Sequence, residues 1–567
     1  MFKFALAAAA SLLTQPLIAQ EGLTLFQPVG STTAVLINQA GQTVHSWVGD
    51  ATPAVSVYLM PDGDLLRTRN PNGAGGGVGT GFERVSYDGV VEWQYTLSTA
   101  TLTPHHDLVA LPNGNILVVI WEEVGGAAAI AAGRDPSTIG SQFMPDTLFE
   151  IAQTGPTSGD IVWEWHSFDH LVQDFDASLP NFGVVADHPE RIDINFGGTA
   201  DWLHVNGIDY NEDFDQIALS VPHFDEIWII DHSTTSAEAA GSTGGNSGKG
   251  GDLLYRWGNP QAYDRGTEAD RVFYFLHDVQ WIEEGLPGAG NLTVFNNGRN
   301  RPIVGNASSA DEWTPPVDAA GNYSLSPGAA YGPTSLTWTY SDPGNFFTAI
   351  MGGVERLPNG NTMIVEATSS RIFEIDDLGT IVSTFINNVG GPSWMFKARR
   401  YADCDANEVA DAHEISSGAS GDTNGNGVLD ACETPMNYCL ATTNSTGLAA
   451  SMGWSGSTSL AANNLGLSVE DCPGNTFGLF AFSPNQASTT VGDGLLCISN
   501  PLIRLNPVLQ TSAAGSTQLA VDNQNLPGGS PTLAPGTTWN FQFWYRDPAG
   551  GPAGFNFSDG LSVLFTE

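Results

Sequence analysis

Three histidines recur at comparable places along the chain, and each begins an apolar run typical of a β-strand. They are His106 in PHHDLVALPNG, His204 in DWLHVNGIDY and His277 in FLHDVQW. Imidazole can act as a nucleophile, as an acid or base near neutral pH, and as a metal ligand. Each histidine is followed within two residues by a carboxylate or amide side chain, namely Asp107, Asn206 and Asp278. The recurrence predicts a shared site rather than three separate core histidines.

A second group of candidate ligands lies in two acidic loops that follow Tyr401. Residues 422–433 read DTNGNGVLDACE, which matches the twelve-residue calcium loop at its oxygen ligands, its turn glycine and its final glutamate. Residues 403–414 read DCDANEVADAHE and repeat the spacing, with Glu408 where glycine is preferred. The expected ligands are Asp403, Asp405, Asn407, Val409, Asp411, Glu414, Asp422, Asn424, Asn426, Val428, Asp430 and Glu433. EF-hand-like loops filled by structural calcium are therefore expected, and a solvated acidic linker is the alternative.

The elements that must position the histidines are short strands. Between about residues 32 and 401, runs of β-branched and aromatic residues alternate with Asn-Gly, Asp-Gly or Gly-rich turns, and no convincing amphipathic helix occurs. A hairpin unit recurs as LPNGN at 111–115 and 357–361, and as MPDGD at 60–64, each followed by an apolar run. Each such hairpin tends to be followed by a second one. Two hairpins make a four-stranded sheet, which is the blade of a β-propeller.

Five candidate blades follow from this pattern, and a sixth is closed by strands from both ends of the region. The predicted blades span 56–97, 105–165, 202–257, 277–338 and 352–385, with 34–47 and 394–401 closing the sixth. The sequence thus predicts an all-β six-bladed β-propeller, with a pair of β-sandwiches as the alternative. Since the innermost strands of a propeller line its central channel, the three histidines should converge there.

Composition and charge bound the rest of the chain. The formal charge of -42 disfavours nucleic acid and anionic membranes as partners. The first residues, MFKFALAAAASLLTQPLIA, are typical of a signal peptide, and no later apolar stretch could span a membrane. All five cysteines follow Tyr401, so one is left over, and Cys404 could pair with Cys432. A secreted or periplasmic protein is expected. The predicted domains are a signal peptide (1–19), the propeller (20–401), the paired calcium loops (402–434) and a C-terminal β-sandwich (435–567).

An ordered set of motifs resembles successive signatures of the bacterial arylsulfotransferase family over about residues 30–401. The motifs are DWLHVNGIDYNEDFDQIALS, EIWIIDHSTT, GDLLYRWGNP, LHDVQW, FNNG and ERLPNGNTMIVEA. The resemblance implies a six-bladed propeller that transfers sulfate between small phenols without a nucleotide cofactor. It also implies that His277 is transiently sulfated, while His106, His204 and Asn206 are supporting channel residues.

One departure from the family pattern concerns the sulfate ligand. Family members usually carry an arginine in the strand after the second histidine motif, where it would grip sulfate through two hydrogen bonds. This chain has Pro222 and His223 there, so Arg256, Arg299 or Arg301 would have to replace it. We take Arg256 as the candidate substrate ligand.

Three functions are compatible with the sequence. The leading one is an exported arylsulfotransferase that works through a sulfohistidine intermediate. The second is a non-catalytic propeller that binds an extracellular glycan or protein, and the third is a metal-dependent enzyme using the same three histidines. The acidic loops resemble dockerin or thrombospondin type-3 repeats, which implies a rigid spacer or a cell-surface or cohesin-like partner.

Overall fold

The structure is a computed structural model that divides into two compact units, residues 1–413 and 414–567. It describes residues 19–565, apart from 74, 76, 198–199, 389–392, 423–426, 430–431, 433–434, 524–525 and 528–532. Nearly all of the predicted signal peptide therefore lies outside the described residues. So do four predicted calcium ligands: Asn424, Asn426, Asp430 and Glu433. Among the described residues, no helix has the length and apolar character needed to cross a membrane.

The recurrent Asn-Gly motifs form the hairpin turns that the sequence predicts. Gly114 and Gly360 adopt φ angles of 84° and 89°, a conformation that glycine enters without a steric penalty. Main-chain hydrogen bonds close both turns, from Leu111 N to Asn115 O at 2.8 Å and from Leu357 N to Asn361 O at 2.9 Å. Each turn feeds the apolar run after it into a buried strand.

In the part of the first unit that the structure describes, six antiparallel sheets have four strands each. Three strands of the first sheet are β1 (Leu23–Pro28), β2 (Thr33–Ile37) and β3 (Thr43–Val48). The second sheet contains β4 (Val57–Leu59), β5 (Leu65–Arg69), β6 (Gly81–Val85) and β7 (Val91–Thr96). The third contains β8 (Leu102–Ala110), β9 (Ile116–Glu122), β10 (Asp146–Gly155) and β11 (Ser158–His166), with helix α1 (Gly126–Ala131) after β9.

A short parallel pair precedes the fourth sheet: β12 (Leu171–Val172) and β13 (Ile192–Asp193). The fourth sheet contains β14 (Gly207–Asn211), β15 (Gln216–Val221), β16 (Glu226–Asp231) and β17 (Tyr255–Trp257), with helix α2 (Ser236–Ala239) after β16. The fifth contains β18 (Leu276–Trp281), β19 (Leu292–Asn296), β20 (Ser309–Trp313) and β21 (Trp338–Tyr340). The sixth contains β22 (Gly353–Arg356), β23 (Thr362–Glu366), β24 (Arg371–Ile375) and β25 (Ile381–Ile386).

Strand β26 (Met395–Tyr401) completes the first sheet by pairing antiparallel with β1. Each sheet packs against the next one in chain order, and the sixth packs against β26 of the first. The arrangement is therefore propeller-like, and the prediction of an all-β chain built from four-stranded antiparallel sheets is confirmed. Single turns of 3-10 helix occur at Ser167–Asp169, Val185–Asp187, Pro260–Tyr263, Glu268–Asp270 and Ala367–Ser369. Helix α3 (Asp411–Ser417) follows the first acidic loop.

The second unit consists almost entirely of strands. A five-stranded sheet has the order β27-β36-β35-β30-β33, a three-stranded sheet has the order β28-β29-β34, and β31 pairs with β32. Both larger sheets contribute to one buried cluster, with Leu467 and Val469 from the smaller sheet and Phe480 and Phe543 from the larger. The strands are β27 (Met436–Tyr438), β28 (Ser451–Ser455), β29 (Gly466–Glu470), β30 (Phe477–Ser483), β31 (Gln486–Val491), β32 (Gly494–Ile498), β33 (Ile503–Gln510), β34 (Thr517–Ala520), β35 (Thr537–Arg546) and β36 (Phe555–Phe565).

Four of the five cysteines are oxidised. Cys439 and Cys497 form a disulfide within the second unit. Cys404 and Cys432, the two that the sequence suggested as partners, are also disulfide-bonded. The cysteine left over is Cys472, which is buried. This pattern is compatible with an oxidising compartment.

Candidate functional site

The first unit contains a cavity of about 580 Å³ into which all three predicted histidines project. Besides His106, His204 and His277, its wall includes Phe275, Met351 and Phe396. The ring centroids of His106 and His204 lie 4.6 Å apart, and Phe396 lies 6.0 Å from His106 and 5.9 Å from His277. The three histidines, which we call the histidine layer, therefore face one enclosed space.

Irregular backbone turns these side chains toward the cavity. The pairing of β8 with β9 is interrupted between Pro104 and Leu108, and that of β18 with β19 between His277 and Gln280. His106 and His204 have φ angles of 50° and 59°, a left-handed conformation that costs energy for any residue with a Cβ atom. Bulges of this kind re-aim side chains at functional sites.

His277 is held as a neutral imidazole with a defined tautomer. Asn297 Nδ2 donates to the carbonyl oxygens of Thr348 at 2.9 Å and Met351 at 2.7 Å, so its Oδ1 must be the acceptor for His277 Nδ1, 2.7 Å away. Nδ1 therefore carries the hydrogen, and Nε2 has a lone pair that accepts the Met351 amide at 3.2 Å. Burial lowers the pKa of His277 to about 3, although the bond to Asn297 opposes the shift. The ring is thus uncharged at neutral pH.

His106 is backed by a second histidine that the sequence analysis did not single out. His105 Nδ1 lies 2.9 Å from His106 Nδ1, so the two nitrogens share one hydrogen. His105 Nε2 lies 2.9 Å from Asp146 Oδ1, and its ring stacks on Trp121 at 3.9 Å. Burial holds the pKa values of both histidines well below the usual range and raises that of Asp146 well above it. The signal for His105 was present in the His-His-Asp motif.

His204 belongs to a cluster with Asp201 and His223. Its Nδ1 lies 2.5 Å from Asp201 Oδ2, and its ring stacks on that of His223 at 5.0 Å. His223 Nδ1 donates to the main-chain oxygen of Asp201 at 2.9 Å. Although burial opposes the shift, the bond from His204 lowers the pKa of Asp201, and burial lowers that of His223. The residue at the position of the family arginine therefore lies directly against the histidine layer.

Beneath the histidines lies a group of paired charges, which we call the ionic floor: Tyr58, Asp107, Asp278, Lys397 and Arg399. Lys397 Nζ lies 2.6 Å from Asp107 Oδ2, 2.9 Å from Asp278 Oδ1 and 2.7 Å from the Tyr58 hydroxyl. Arg399 donates to both Asp278 oxygens, at 2.5 and 3.0 Å. Burial opposes the effect, but the two cations lower the pKa of Asp278 to about 2. The carboxylates that follow His106 and His277 in sequence thus support the strands rather than the imidazoles.

Two predicted substrate ligands lie outside the cavity wall, and both predictions are corrected. The Asn206 amide is buried, donating to Leu276 O at 2.9 Å and accepting the Ser220 hydroxyl at 2.7 Å. It holds the strand of His277 rather than facing substrate. Arg256 is fully buried and paired with Glu226, 2.5 Å from Nη2 to Oε2, and a further N–H donates to a main-chain oxygen. Its charge is already satisfied inside the fourth sheet.

The other two candidate arginines also lie behind the wall. The Arg299 guanidinium stacks over Phe275 at 3.6 Å and donates to Ala349 O at 2.5 Å. Arg301 donates to the Ser309 hydroxyl at 2.5 Å. Among the described residues that line the cavity, none is an arginine or a lysine. An anionic substrate would thus meet imidazoles and main-chain amides first.

The first acidic loop has the local conformation expected of a cation-binding turn. The amides of Asn407 and Glu408 donate to the Asp403 carboxylate at 3.0 and 3.2 Å. Glu408, at the position where glycine was expected, has a φ angle of 69°. The predicted ligands Asp405, Val409 and Asp411 lie in the same turn, and Glu414 is the first residue of the second unit.

In the second acidic loop, only part of the predicted ligand set is described. The amide of Gly427 donates to Asp422 Oδ2 at 2.8 Å, and Gly427 has a φ angle of 80°. Val428 is 39% exposed. Calcium binding by the two loops stays a prediction.

The site is therefore that of a propeller-like β-protein with a histidine-lined internal cavity. The family profile for arylsulfotransferases (ASST) matches residues 20–390, and the chain belongs to this family. Membership supports aryl sulfotransferase activity in general and implies phenolic substrates. A search of curated proteins found no match.

Solved structures with distant likeness include three that differ in function. A protein of unknown function from Bacteroides caccae is 12% identical, with 67% of this chain and 98% of that one covered and a TM-score of 0.37. Virginiamycin B lyase from Staphylococcus aureus is 13% identical, with coverages of 65% and 82% and a TM-score of 0.32. The Cps50 (Swd1) β-propeller domain from Myceliophteria thermophila is 10% identical, with coverages of 64% and 86% and a TM-score of 0.34. These scores are too low to support an argument.

Proposed function

We propose that the protein is an exported arylsulfotransferase, a six-bladed β-propeller that transfers a sulfuryl group from an aryl sulfate to a phenol through sulfated His277. The observation that carries the proposal is the fixed tautomer of His277. Its Nδ1 is held by Asn297, and its Nε2 lone pair lies at the cavity wall. A neutral, desolvated imidazole in this orientation is a competent nucleophile.

The reaction needs two displacements at sulfur. In the first, Nε2 of His277 attacks sulfur, the bond from sulfur to the aryl oxygen breaks, and the leaving oxygen takes a proton from His106. In the second, a phenol oxygen attacks the same sulfur, the bond from sulfur to Nε2 breaks, and the phenol proton returns to His106. The sulfated ring is cationic until then, and Asn297 Oδ1 stabilises its Nδ1–H.

Met351 has a specific place in this scheme. Its amide now donates to Nε2 at 3.2 Å, so Nε2 must exchange this hydrogen bond for the bond to sulfur. The same N–H then lies beside the sulfuryl oxygens, to which it can donate. Because Met351 has a φ angle of 61°, its amide direction is set by an unusual backbone conformation.

Trapping the intermediate tests the proposal. A chromogenic aryl sulfate supplied without acceptor should leave a sulfate-sized mass addition on the peptide that contains FLHDVQW. His277→Ala should abolish both the adduct and transfer, whereas His106→Ala should slow transfer by roughly 10²–10⁴-fold. An unmodified peptide, together with full activity in His277→Ala, would remove His277 from the mechanism.

A binding propeller without catalysis is the second candidate, favoured by the lack of a lysine or arginine among the described wall residues. It predicts saturable binding of a glycan or protein and no release of phenol from any aryl sulfate. Adding phenol as acceptor separates the two, because only a transferase would release the chromophore faster with acceptor present.

Calcium is proposed as the structural partner of the acidic loops, with the second unit forming a C-terminal β-sandwich. Support comes from the inward-facing Asp403 and Asp422 carboxylates, which accept main-chain amides. Calcium should raise the midpoint of thermal unfolding, since a ligand bound only by the folded state stabilises it. Calorimetry of the full chain that shows no binding would refute this part.

A further inference from the structure

Beside His204, the cavity wall carries a second imidazole and a carboxylate. One ligand atom from each of Asp201, His204 and His223 lies within 4.8 Å of the other two. Two imidazoles and a carboxylate form a donor set that binds divalent transition metals and leaves positions open. We infer that these three residues bind such a cation, and that its open position takes a sulfuryl oxygen of the donor. The second half of the inference rests on the proposed function.

The hydrogen bonds of the cluster fit ligating histidines. A carbonyl oxygen only accepts, so His223 Nδ1, 2.9 Å from Asp201 O, carries the hydrogen, and Nε2 keeps a lone pair. His204 Nδ1 is held in the same way by Asp201 Oδ2 at 2.5 Å. A ring nitrogen donating to a carboxylate or a main-chain carbonyl is the usual support of a metal-bound histidine. Asp201 thus orients both rings.

The other histidines of the layer do not offer such a set. Both nitrogens of His277 are engaged, by Asn297 at 2.7 Å and by the Met351 amide at 3.2 Å. Nδ1 of His106 is bound to His105 at 2.9 Å. The cluster around His204 therefore replaces the alternative in which His106, His204 and His277 hold a metal together.

Charge balance gives the cation a role. No described residue of the cavity wall is a lysine or arginine, and the nearby cations Lys397 and Arg399 are committed to Asp107 and Asp278. A divalent cation with one carboxylate has a net charge of about +1, as a guanidinium does. His223 stands where related chains place an arginine, so the metal would supply the missing positive charge at that place.

Zinc binding by the full-length protein tests the site without any activity. The protein is stripped with a chelator and saturated with calcium to fill the acidic loops, and Zn²⁺ is then titrated by calorimetry. Wild type should bind one equivalent, and His223→Ala should bind it about 10–100-fold more weakly. His166→Ala is the matched control, because His166 also lies beside a carboxylate, Glu122 at 2.8 Å, but away from the cavity. No binding, or equal binding in His223→Ala, would overturn the inference.

Activity separates the metal from the proposed function. Sulfuryl transfer by wild type should fall at least tenfold after chelation and return with Zn²⁺. His223→Arg should transfer without metal, because the guanidinium replaces the cation. Transfer by wild type that is indifferent to chelation would overturn the role in sulfate binding. Zinc binding that depends on His223, in a protein inactive with every aryl sulfate tried, would uphold the metal site and refute the proposed function instead.

Discussion

The histidine layer and the ionic floor come from the same strands, yet they follow opposite physical rules. His106 and Asp107 are adjacent, as are His277 and Asp278, but the first of each pair lines the cavity and the second is buried among cations. The floor has its charges paired at 2.5 to 2.9 Å. The layer holds neutral imidazoles whose nitrogens are oriented rather than neutralised. One residue step therefore separates groups that support the fold from groups that can react.

The largest test of this difference is removal of the lysine from the ionic floor. Lys397→Met leaves the Asp107 carboxylate buried without its cation, which should lower the free energy of unfolding by about 3–5 kcal/mol. His277→Gln keeps an amide beside Asn297 and should cost only about 1–2 kcal/mol. Urea denaturation in calcium measures both changes. Similar losses in the two variants would mean that the layer and the floor are not distinct.

The strands that build both regions could largely be read from the sequence. The hairpins at 111–115 and 357–361 were visible because Asn-Gly supplies the φ angles that a tight turn requires. Alternation of such hairpins with apolar runs then places the histidines at the starts of the inner strands. Their convergence followed from the propeller architecture rather than from any local signal.

What the sequence could not reveal depends on contacts between distant residues. Lys397 meets Asp107 across 290 positions, and nothing in either local motif indicates the pairing. Arg256 was misassigned because a strand arginine reads alike whether it faces a cavity or a buried glutamate, here Glu226. Asn297 lay in the FNNG motif, but its contact with His277 depends on the main-chain oxygens that fix its amide.

A smaller test sharpens the account of the histidine layer. Asn297→Ala removes the acceptor that keeps the hydrogen on Nδ1 of His277, so the Nε2 lone pair is no longer directed at the cavity. Formation of the sulfated intermediate should slow by about 10²-fold, the usual cost of a misplaced reacting group, while KM changes little. Rapid-quench measurement of the adduct gives the rate. Asn345→Ala, on an exposed loop, is the control and should react as wild type does.

The smallest expected effect concerns a histidine outside both regions, and it has the opposite sign with pH. His232 lies between Asp215 and Glu150, 2.6 and 3.1 Å away, and although burial opposes the shift, these carboxylates raise its pKa to about 9. A raised folded-state pKa stabilises the protein fully below the unfolded value of about 6.5, and the contribution is lost as pH rises through 9. Wild type should therefore lose on the order of 1–2 kcal/mol of stability between about pH 6.5 and 9 that His232→Gln does not lose. The buried histidines of the cavity, whose pKa values are lowered, should instead cost stability as pH falls below about 6.5. Urea midpoints measured across this range compare the two, with His188→Gln, a largely exposed histidine, as control. Parallel curves for wild type and His232→Gln would show that the carboxylates beside His232 do not hold its proton.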